Sequence, residues 1–182
     1  MPVHKGFLRE VLPMLDAIAK RVSCRSYRPD PVPEEAVTEL LHAALCAPSA
    51  HNARPWHLLV VRDAEKRQAL SRVHRWAGFC AQSPVVIVVA ADPSRSEHWW
   101  IEDCAAAVEN ILIQATAMGL GTCWVGVRGS DERGYEREEK VRQVCSIPAH
   151  IRIAALVAVG YPAAEGQPKG PAPLEAIHGE TW

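Results

Sequence analysis

The apolar run from Val85 to Ala91 constrains the fold of this 182-residue chain more than any other feature. Its core, Val-Val-Ile-Val-Val, consists of β-branched residues, which favour extended backbone. With Pro84 it is the longest apolar stretch of the sequence, yet it is far too short to cross a lipid bilayer. We therefore expect this run to form a strand of a sheet.

Three further segments are strand-like, and helical segments lie between them. Residues 58–61 are apolar without alternation, which predicts a strand that is covered on both faces. Residues 122–127 are predicted to form a short strand, and residues 151–159 the last strand. Strands interleaved with helices predict one α+β domain (or a three-layer α/β domain) over residues 1–182, with a small mixed or antiparallel central sheet that is flanked by helices.

The helices are predicted from apolar spacing and from residues that begin or end a helix. Pro33 suits the first position of one helix and Pro48 stops it, Asp63 can cap the next, and Gly119 is a natural residue after the end of the longest one. Gly134 weakens the last helix, which is charged and is expected at the surface. The predicted helices span residues 12–20, 33–47, 63–74, 100–118 and 132–144.

Composition and charge exclude several classes of function. Apolar residues make up 48% and charged residues 23%, which is ordinary for a globular domain. A net charge of −1 provides neither a basic field for nucleic acid nor a polybasic membrane patch. Residues 1–21 are interrupted by charges, so a secretory apolar segment is not expected. We expect a soluble cytoplasmic protein without nucleic-acid or membrane partners.

The cysteines and histidines show no metal-binding spacing. The six cysteines lie at least nineteen residues apart, so no C-x-x-C pair exists, and the eight histidines form no H-x-x-x-H pair. We expect reduced, mostly buried thiols and no metal. His51, inside a polar turn, is the one histidine that we place near a cofactor.

Arg21, Ser23 and Arg25 are candidates for binding a phosphate monoester. In an extended segment alternate residues share a face, so two guanidiniums and a hydroxyl would point the same way. Arginine offers forked, charge-assisted donors that suit phosphate. The alternative is a solvated, arginine-rich helix end, where cations also favour the helix dipole.

A second candidate segment, Pro48-Ser49-Ala50-His51-Asn52-Ala53-Arg54-Pro55-Trp56, is a polar turn that is closed by Pro-Trp. It flanks the same predicted helix as the arginine segment, so the length of that helix fixes their separation. Together the two segments indicate a site for a phosphorylated, planar cofactor.

The chain resembles the nitroreductase family of flavin enzymes in four blocks that follow in order. The first two are Arg-x-Ser-x-Arg-x-aromatic and Pro-Ser-x-x-Asn-x-x-Pro-Trp. The third is the run Gly119-Leu120-Gly121-Thr122-Cys123-Trp124-Val125-Gly126, and the fourth begins at Pro168-Lys169. Each block alone is weak, but four in sequence from about residue 18 to residue 174 are typical of the family.

The resemblance implies an intertwined homodimer with two FMN molecules at its interface. One subunit would hold the phosphate and ribityl chain through Arg21, Val22, Ser23 and Arg25, with Lys169 closing over the phosphate. Arg25 would also reach the N1–O2 edge of the flavin. The backbone of Val125 and Gly126, beside Trp124, would donate to N5. The partner subunit would line the flavin with Pro48, Ser49, Ala50, His51 and Asn52.

The chain departs from the family pattern at two positions, and it lacks the long mid-sequence insertion with which larger relatives cover the active site. Arg54 stands where many relatives carry glutamine, and it would favour an anionic substrate or pair with an acidic neighbour. Pro171 replaces a second basic residue, which would weaken FMN binding. Between the Val85 strand and the long helix, Trp99 and Trp100 either border the flavin and substrate or pack in the core.

The C-terminal segment, residues 161–182, is predicted to be a docked arm. It holds four prolines and two glycines between Tyr161 and Pro173, so it is not helical there. Apolar Leu174, Ile177 and Trp182 follow, and a solvated tail would not need them. We expect the arm to dock on the partner subunit.

The expected function is FMN-dependent oxidation of NAD(P)H, by a ping-pong scheme, with a nitroaromatic compound, a quinone or a similar aromatic acceptor. The glycine run does not match a dinucleotide fingerprint, because Trp124 occupies the third glycine position and the run precedes a strand. The nicotinamide would therefore stack on the flavin. The alternatives are F420-linked oxidoreduction, flavin cleavage or reductive dehalogenation on the same fold, and a non-catalytic flavin-binding dimer.

Overall fold

The computed structural model describes residues 14–172 and 174–181, and it gives only the backbone of Leu174. Leu12, Pro173 and Trp182, which enter the expectations for the first helix and the arm, lie outside the described residues. The helices are α1 (Asp16–Lys20), α2 (Glu34–Leu45), α3 (Ala64–Leu70), α4 (Trp100–Ala117) and α5 (Glu136–Cys145), and the strands are β1 (Trp56–Val61), β2 (Val85–Ala91), β3 (Gly121–Gly126) and β4 (Arg152–Gly160). Short 3₁₀ helices span Ala50–Asn52, Gly78–Ala81, Pro93–Arg95 and Leu174–Ala176.

The four strands form one sheet in the order β1–β2–β4–β3, and every neighbouring pair is antiparallel. Val86 of β2 pairs with Val61 on one side and with Ala158 on the other, which fixes the register of the centre. The α+β class is therefore confirmed, and the sheet is antiparallel rather than mixed. Among the described helices, none has both the length and the apolar character that a bilayer span requires.

β2 is buried along its whole length because helices cover both of its faces. Successive side chains point to opposite faces of a strand. Ile87 therefore joins the core that contains α2 and α4, whereas Val86 and Val88 join a second core with Leu70 of α3 and Val141 of α5. The absence of alternation in this run reflects its position between two cores.

β1 differs from its prediction because it is an edge strand. Leu58 and Val60 are half-buried against the α2–α4 core, but His57 is exposed and Leu59 is 41% exposed on the opposite face. The expectation that both faces are covered is therefore wrong for this strand in the isolated chain. An apolar run alone does not distinguish a central strand from an edge strand that is shielded on one face.

Two helices are shorter than predicted. α3 is capped by Asp63, whose carboxylate accepts from the backbone N–H of Lys66 at 2.8 Å, but it ends at Leu70 rather than at residue 74. α5 begins only at Glu136, because Gly134 adopts φ +73° in the preceding turn. α4 ends as expected, with Gly119 at φ +71°.

α1 begins at Asp16 and buries none of its residues. The apolar face that was predicted for it is present but exposed in the isolated chain. Leu15 is 69% exposed and Ile18 is 46% exposed. This helix therefore contributes little to the core of its own chain.

The first part of the C-terminal arm packs on its own chain. The backbone N–H of Arg28 donates to the carbonyl of Tyr161 at 2.9 Å, and that of Ala163 donates to Ser26 at 3.0 Å. Farther along, Gly166 lies so close to Val22 that a Cβ there would come within 2.5 Å of it. Docking on a partner is therefore an expectation only for the residues beyond this stretch, where Ile177 is 41% exposed.

Glu138 shows that α5 is not simply a charged surface helix. Its side chain is 1% exposed and accepts hydrogen bonds from Arg152 at 2.8 Å and from the backbone N–H groups of Gly129 and Ile153 at 2.6 and 3.0 Å. Burial alone would raise the pKa of Glu138, but these donors outweigh it and hold the pKa below its usual value. The carboxylate ties α5, β4 and the loop after β3 together.

We expect Glu138→Gln to lower the free energy of unfolding at neutral pH by about 2–3 kcal/mol, because an amide cannot accept from all of these donors and Arg152 loses its partner. Urea unfolding measures the change. Since the folded-state pKa is lowered, the stabilisation by Glu138 is present above the unfolded value of about 4.3 and is lost as the pH falls through the folded value. The Gln variant should lack this acid-dependent component.

Glu139→Gln is the matched control on the same helix. Glu139 forms an ion pair with Arg142 at 2.6 Å, but its side chain is 52% exposed. Because this carboxylate is open to solvent, although Arg142 is only 16% exposed, we expect its loss to cost about 1 kcal/mol or less. Equal losses in the two variants would contradict the structural role that we assign to Glu138.

Candidate functional site

The arginine segment is extended and lies along the outer edge of β3. Ser23 forms a parallel bridge with Thr122, and the backbone N–H of Cys24 donates to the carbonyl of Thr122 at 2.8 Å. The hydroxyl of the buried Tyr27 donates to the carbonyl of Cys24 at 2.7 Å. These contacts fix the backbone from which Arg21, Ser23 and Arg25 project.

Gly121 allows this close approach. A Cβ at Gly121 would lie 2.7 Å from the Cβ of Cys24 and 2.8 Å from its sulfur, so a larger residue would displace the segment. Gly121, the first residue of β3, therefore allows the arginine segment to lie against the sheet edge.

A cavity of about 470 Å³ brings the predicted phosphate-binding residues together. Its polar lining consists of Arg21, Ser23 and Arg25, which were expected to share a face, and of Lys169 from the C-terminal arm. It is lined by Met14, Ile18, Ala19, Arg21, Val22, Ser23, Arg25, Pro168, Lys169, Gly170 and Pro171. A volume in this range suits a small-molecule cofactor.

The cavity has a positive electrostatic character. Arg21, Arg25 and Lys169 contribute three cations, and none of the described lining residues is acidic. The same guanidiniums influence the neighbouring strand: burial raises the pKa of Cys123, while Arg25 and Arg21 oppose that rise. Cys123 therefore remains a neutral thiol at pH 7, as expected of a buried cysteine.

The polar turn after α2 is strained. His51, Asn52 and Arg54 adopt φ values of 52°, 55° and 46°, in the left-handed region that non-glycine residues rarely occupy. Ser49 Oγ accepts from the backbone N–H of Arg54 at 3.0 Å, and Arg54 Nε donates to Asn52 Oδ1 at 2.8 Å. Such strain persists only where the surroundings hold it, and it is typical of ligand-binding segments.

Asp103 of α4 holds this turn and was missed in the sequence. It is 4% exposed; one carboxylate oxygen accepts from the backbone N–H of Ala50 at 2.8 Å, and the other accepts from Ser96 Oγ at 2.8 Å. The available signal was an acidic residue on the apolar stripe of α4, beside Cys104 and Ala107. A buried acid on such a stripe requires partners.

The turn and the cavity remain apart within one chain. None of the residues from Pro48 to Asn52 is among those that line the cavity. Arg54 does not line the cavity either. Its guanidinium contacts the side-chain amide of Asn52 and not an acidic neighbour, which was the alternative to a contact with an anionic substrate. The resemblance assigns this turn to the flavin of the partner subunit, and that assignment stays a prediction.

The register of β3 decides which backbone groups face outward near Gly126. In an antiparallel pair, alternate residues direct both backbone groups to the partner strand. The backbone N–H of Val127 donates to the carbonyl of Ala154, next to β4, at 3.4 Å. By alternation, the backbone N–H and C=O of Val125 also point to β4, whereas those of Trp124 and Gly126 point away from it. Of the two N–H groups expected at flavin N5, the register therefore favours that of Gly126 over that of Val125.

The edge beside Gly126 is also open. A Cβ built at Gly126 would meet nothing within 4 Å, and the indole of Trp124 is 39% exposed. The described residues thus leave the side-chain direction of Gly126 unobstructed.

The two tryptophans before α4 occupy different environments. Trp100 is 5% exposed and packs in the α2–α4 core, with the guanidinium of Arg152 at 5.0 Å from its ring centroid. Trp99 is 52% exposed. Of the alternatives for Trp100, the structure therefore favours core packing over a substrate contact, whereas Trp99 has no core role.

Three of the six cysteines are buried, Cys24 and Cys145 are half-buried, and Cys46 is exposed. The described chain contains only free thiols; Cys80, Cys104 and Cys123 are buried, and burial raises the pKa of Cys80 and Cys104 to about 12. Cys46 is exposed because it follows the last residue of α2 instead of lying within the helix.

Comparison with known proteins gives a consistent result. The chain matches the model of the nitroreductase family over residues 18–77 and 71–161. It is 37% identical over 171 residues to a protein of Methanothermobacter thermautotrophicus that is provisionally named NADH dehydrogenase/NAD(P)H nitroreductase, an alignment that covers 93% of this chain and 87% of that protein.

Two solved structures are similar over nearly their whole length. An FMN-dependent nitroreductase from Clostridium difficile aligns with a TM-score of 0.85 at 30% identity, covering 93% of this chain and 100% of that chain. A provisionally named nitroreductase from Desulfovibrio desulfuricans, solved in complex with FMN, aligns with a TM-score of 0.77 at 29% identity, covering 95% and 99% of the two chains.

Proposed function

This chain belongs to the nitroreductase family, and from that premise we propose that it is an FMN-dependent oxidoreductase that transfers hydride equivalents from NAD(P)H to an aromatic acceptor. With a nitroarene the balanced reaction is NAD(P)H + H⁺ + ArNO₂ → NAD(P)⁺ + ArNO + H₂O. With a quinone, NAD(P)H and one proton give NAD(P)⁺ and the hydroquinone.

One observation carries the proposal: Arg21, Ser23, Arg25 and Lys169 meet in one cavity that has no acidic residue among its described lining. Forked guanidinium donors, an ammonium group and a hydroxyl are the donors that a phosphate monoester requires. The remaining lining, which includes Ile18, Ala19 and Val22, is apolar and suits the carbon atoms of a ribityl chain. The donor set therefore fits FMN.

Once bound, FMN supplies the two-electron chemistry, and the protein supplies binding, orientation and electrostatics. Arg21, from the segment beside β3, and Lys169, from the C-terminal arm, would hold its phosphate. Arg25 would place positive charge at the N1–O2 edge, and the outward N–H of Gly126 would be available to N5. The described lining contains no carboxylate or imidazole, so we assign no acid or base role to a side chain of this lining.

We further propose that the site is completed in a homodimer. The strained turn from Ser49 to Arg54 is held rigidly by Asp103 but lies outside its own chain's cavity. We infer that the turn of a second subunit enters this cavity and that this subunit covers the exposed apolar residues Met14, Leu15 and Ile18. Exposed apolar surface of this kind is typical of an interaction site.

The direct test of the function is the visible spectrum of the protein purified with FMN supplied, followed by anaerobic addition of NADH or NADPH. We expect a flavin spectrum that bleaches with at least one nicotinamide and returns when a nitroarene or quinone is added. Loss of all flavin on a desalting column would contradict the proposal. If the bound flavin bleaches only with reduced F420, then F420 and not NAD(P)H is the electron donor.

The phosphate site is tested by Arg21→Ala and Arg25→Ala. Loss of a charge-assisted contact should cost about 1.5–3 kcal/mol, or about ten- to a hundredfold in FMN affinity, measured by flavin fluorescence titration. Lys20→Ala is the matched control, because Lys20 pairs with Asp16 at 2.7 Å, both side chains are largely exposed, and Lys20 does not line the cavity. If both arginine variants bind FMN as tightly as the parent, the phosphate lies elsewhere.

The dimer is tested by light scattering of the FMN-loaded protein at micromolar concentration. We expect twice the mass of the chain, because an intertwined interface of this type should bury more than about 2,000 Å². A monomer that retains FMN would show that the partner's turn is not needed for the site.

A further inference from the structure

The strained turn between α2 and β1 is attached to the rest of the chain on both sides. Before the turn, the side-chain amide of Asn110 on α4 donates to the carbonyl of Ala43, near the end of α2, at 2.9 Å. After the turn, the backbone N–H of Asp92 donates to the carbonyl of Pro55 at 2.9 Å. The position of the two ends is therefore fixed by the core, whereas the path between them depends on contacts within the turn.

Asp103 provides the contact in the middle of the turn. It is 4% exposed, and its two carboxylate oxygens accept from the backbone N–H of Ala50 and from Ser96 Oγ, both at 2.8 Å. Within residues 14–172 and 174–181, Asp103 belongs to no ion pair. It lies in the first turn of α4, where the helix dipole favours an acidic side chain. The fold thus places a charged acceptor, which forms stronger hydrogen bonds than a neutral one, beneath Ala50.

The backbone that follows Ala50 needs such a restraint. His51 and Asn52 adopt φ values of 52° and 55°, which cost free energy in a residue other than glycine. Ser49 Oγ and Asn52 Oδ1 accept from the backbone N–H and from Nε of Arg54. The hydroxyl hydrogen of Ser49 and the amide N–H₂ group of Asn52 take no part in these two bonds. The directions of both donors depend on the backbone that Ala50 fixes.

We propose that Asp103 is a positioning residue of the FMN site across the subunit interface: by holding the N–H of Ala50 in its own chain, it orients the turn for the flavin that the partner subunit binds. The inference rests on the proposed function, in which the turn completes the partner's site. It follows from two observations, since Asp103 fixes the turn and no residue from Pro48 to Asn52 lines the cavity of its own chain.

The first test is a flavin fluorescence titration of the FMN-free parent, Asp103→Ala and Asp103→Asn. Alanine leaves the N–H of Ala50 without its acceptor, and we expect the FMN affinity to fall about tenfold. Asparagine has nearly the shape of aspartate; its Oδ1 can accept from Ala50 and its N–H₂ group can donate to Ser96 Oγ, so its FMN affinity should stay within about twofold of the parent. Parental affinity in Asp103→Ala would overturn the proposal.

Val108→Ala is the matched control on the same helix. Val108 is fully buried in the α2–α4 core, so its truncation lowers the free energy of unfolding without removing a hydrogen bond of the turn. It should leave the FMN affinity unchanged. An equal fall in affinity would show that the loss in Asp103→Ala follows from lower stability, and it would overturn the positioning role. If Asp103→Ala does not fold, Asp103→Ser replaces it, because the shorter side chain cannot bridge Ala50 and Ser96.

A mixed dimer tests whether Asp103 acts across the interface. Subunits with Arg21→Ala and with Asp103→Ala are coexpressed with different affinity tags, and the dimer that carries both tags is purified. One of its two sites combines the intact cavity of the Asp103→Ala subunit with the intact turn of the Arg21→Ala subunit. We expect this dimer to bind one FMN with parental affinity, which neither variant homodimer does. Without such a site in the mixed dimer, the turn serves its own chain and the proposal is overturned.

These titrations contain no nicotinamide, so the inference and the proposed function fail in different ways. If the parent binds FMN but NADH and NADPH do not bleach it, the proposed activity fails, and the comparison of the variants still decides the role of Asp103. If the parent is bleached and Asp103→Ala binds FMN as tightly as the parent, the inference alone fails. A parent that binds no FMN overturns both.

Discussion

The burial of β2 on both faces is the constraint on which the rest of the structure depends. A strand with seven consecutive apolar residues leaves no face for solvent, so helices must cover it from both sides. α2 and α4 provide one layer, and α3 and α5 provide the other, together with Tyr27. The segments that lead into and out of these helices carry the candidate site, so the two-sided core also sets where the functional groups lie.

The outer edge of β3 is where this scaffold becomes a site. An edge strand offers unpaired backbone groups that natural proteins usually cover. At Thr122 the edge is covered by the segment that carries Arg21, Ser23 and Arg25, and the small size of Gly121 permits the contact. At Gly126 the same edge remains open. One strand therefore both seats the cationic segment and leaves an outward N–H group a few residues away.

Charge is distributed locally in a way that the net value conceals. The net charge of the whole chain is −1, yet Arg25 lines two cavities that contain cations and no acid among their described lining residues. One also contains Arg21 and Lys169, and the other contains Arg75. The acidic residues are used elsewhere. Glu138 supports the joint between α5 and β4, and Asp103 holds the strained turn. This separation keeps the guanidiniums around Arg25 available to an anionic ligand.

The sequence by itself determined the strands, the caps and the grouping of Arg21, Ser23 and Arg25, because β-branched runs, capping residues and alternation act over a few neighbouring residues. It also indicated the family, through four short blocks in order. Only the tertiary structure decided that β1 is an edge strand, that Glu138 and Asp103 are buried, and that Arg25 lines two cavities. Those properties depend on which side chains meet after packing: Ala50 with Asp103, Glu138 with Arg152, and Lys169 with the cavity of Arg21. No local pattern encodes such contacts, since the core brings together segments that are distant along the chain.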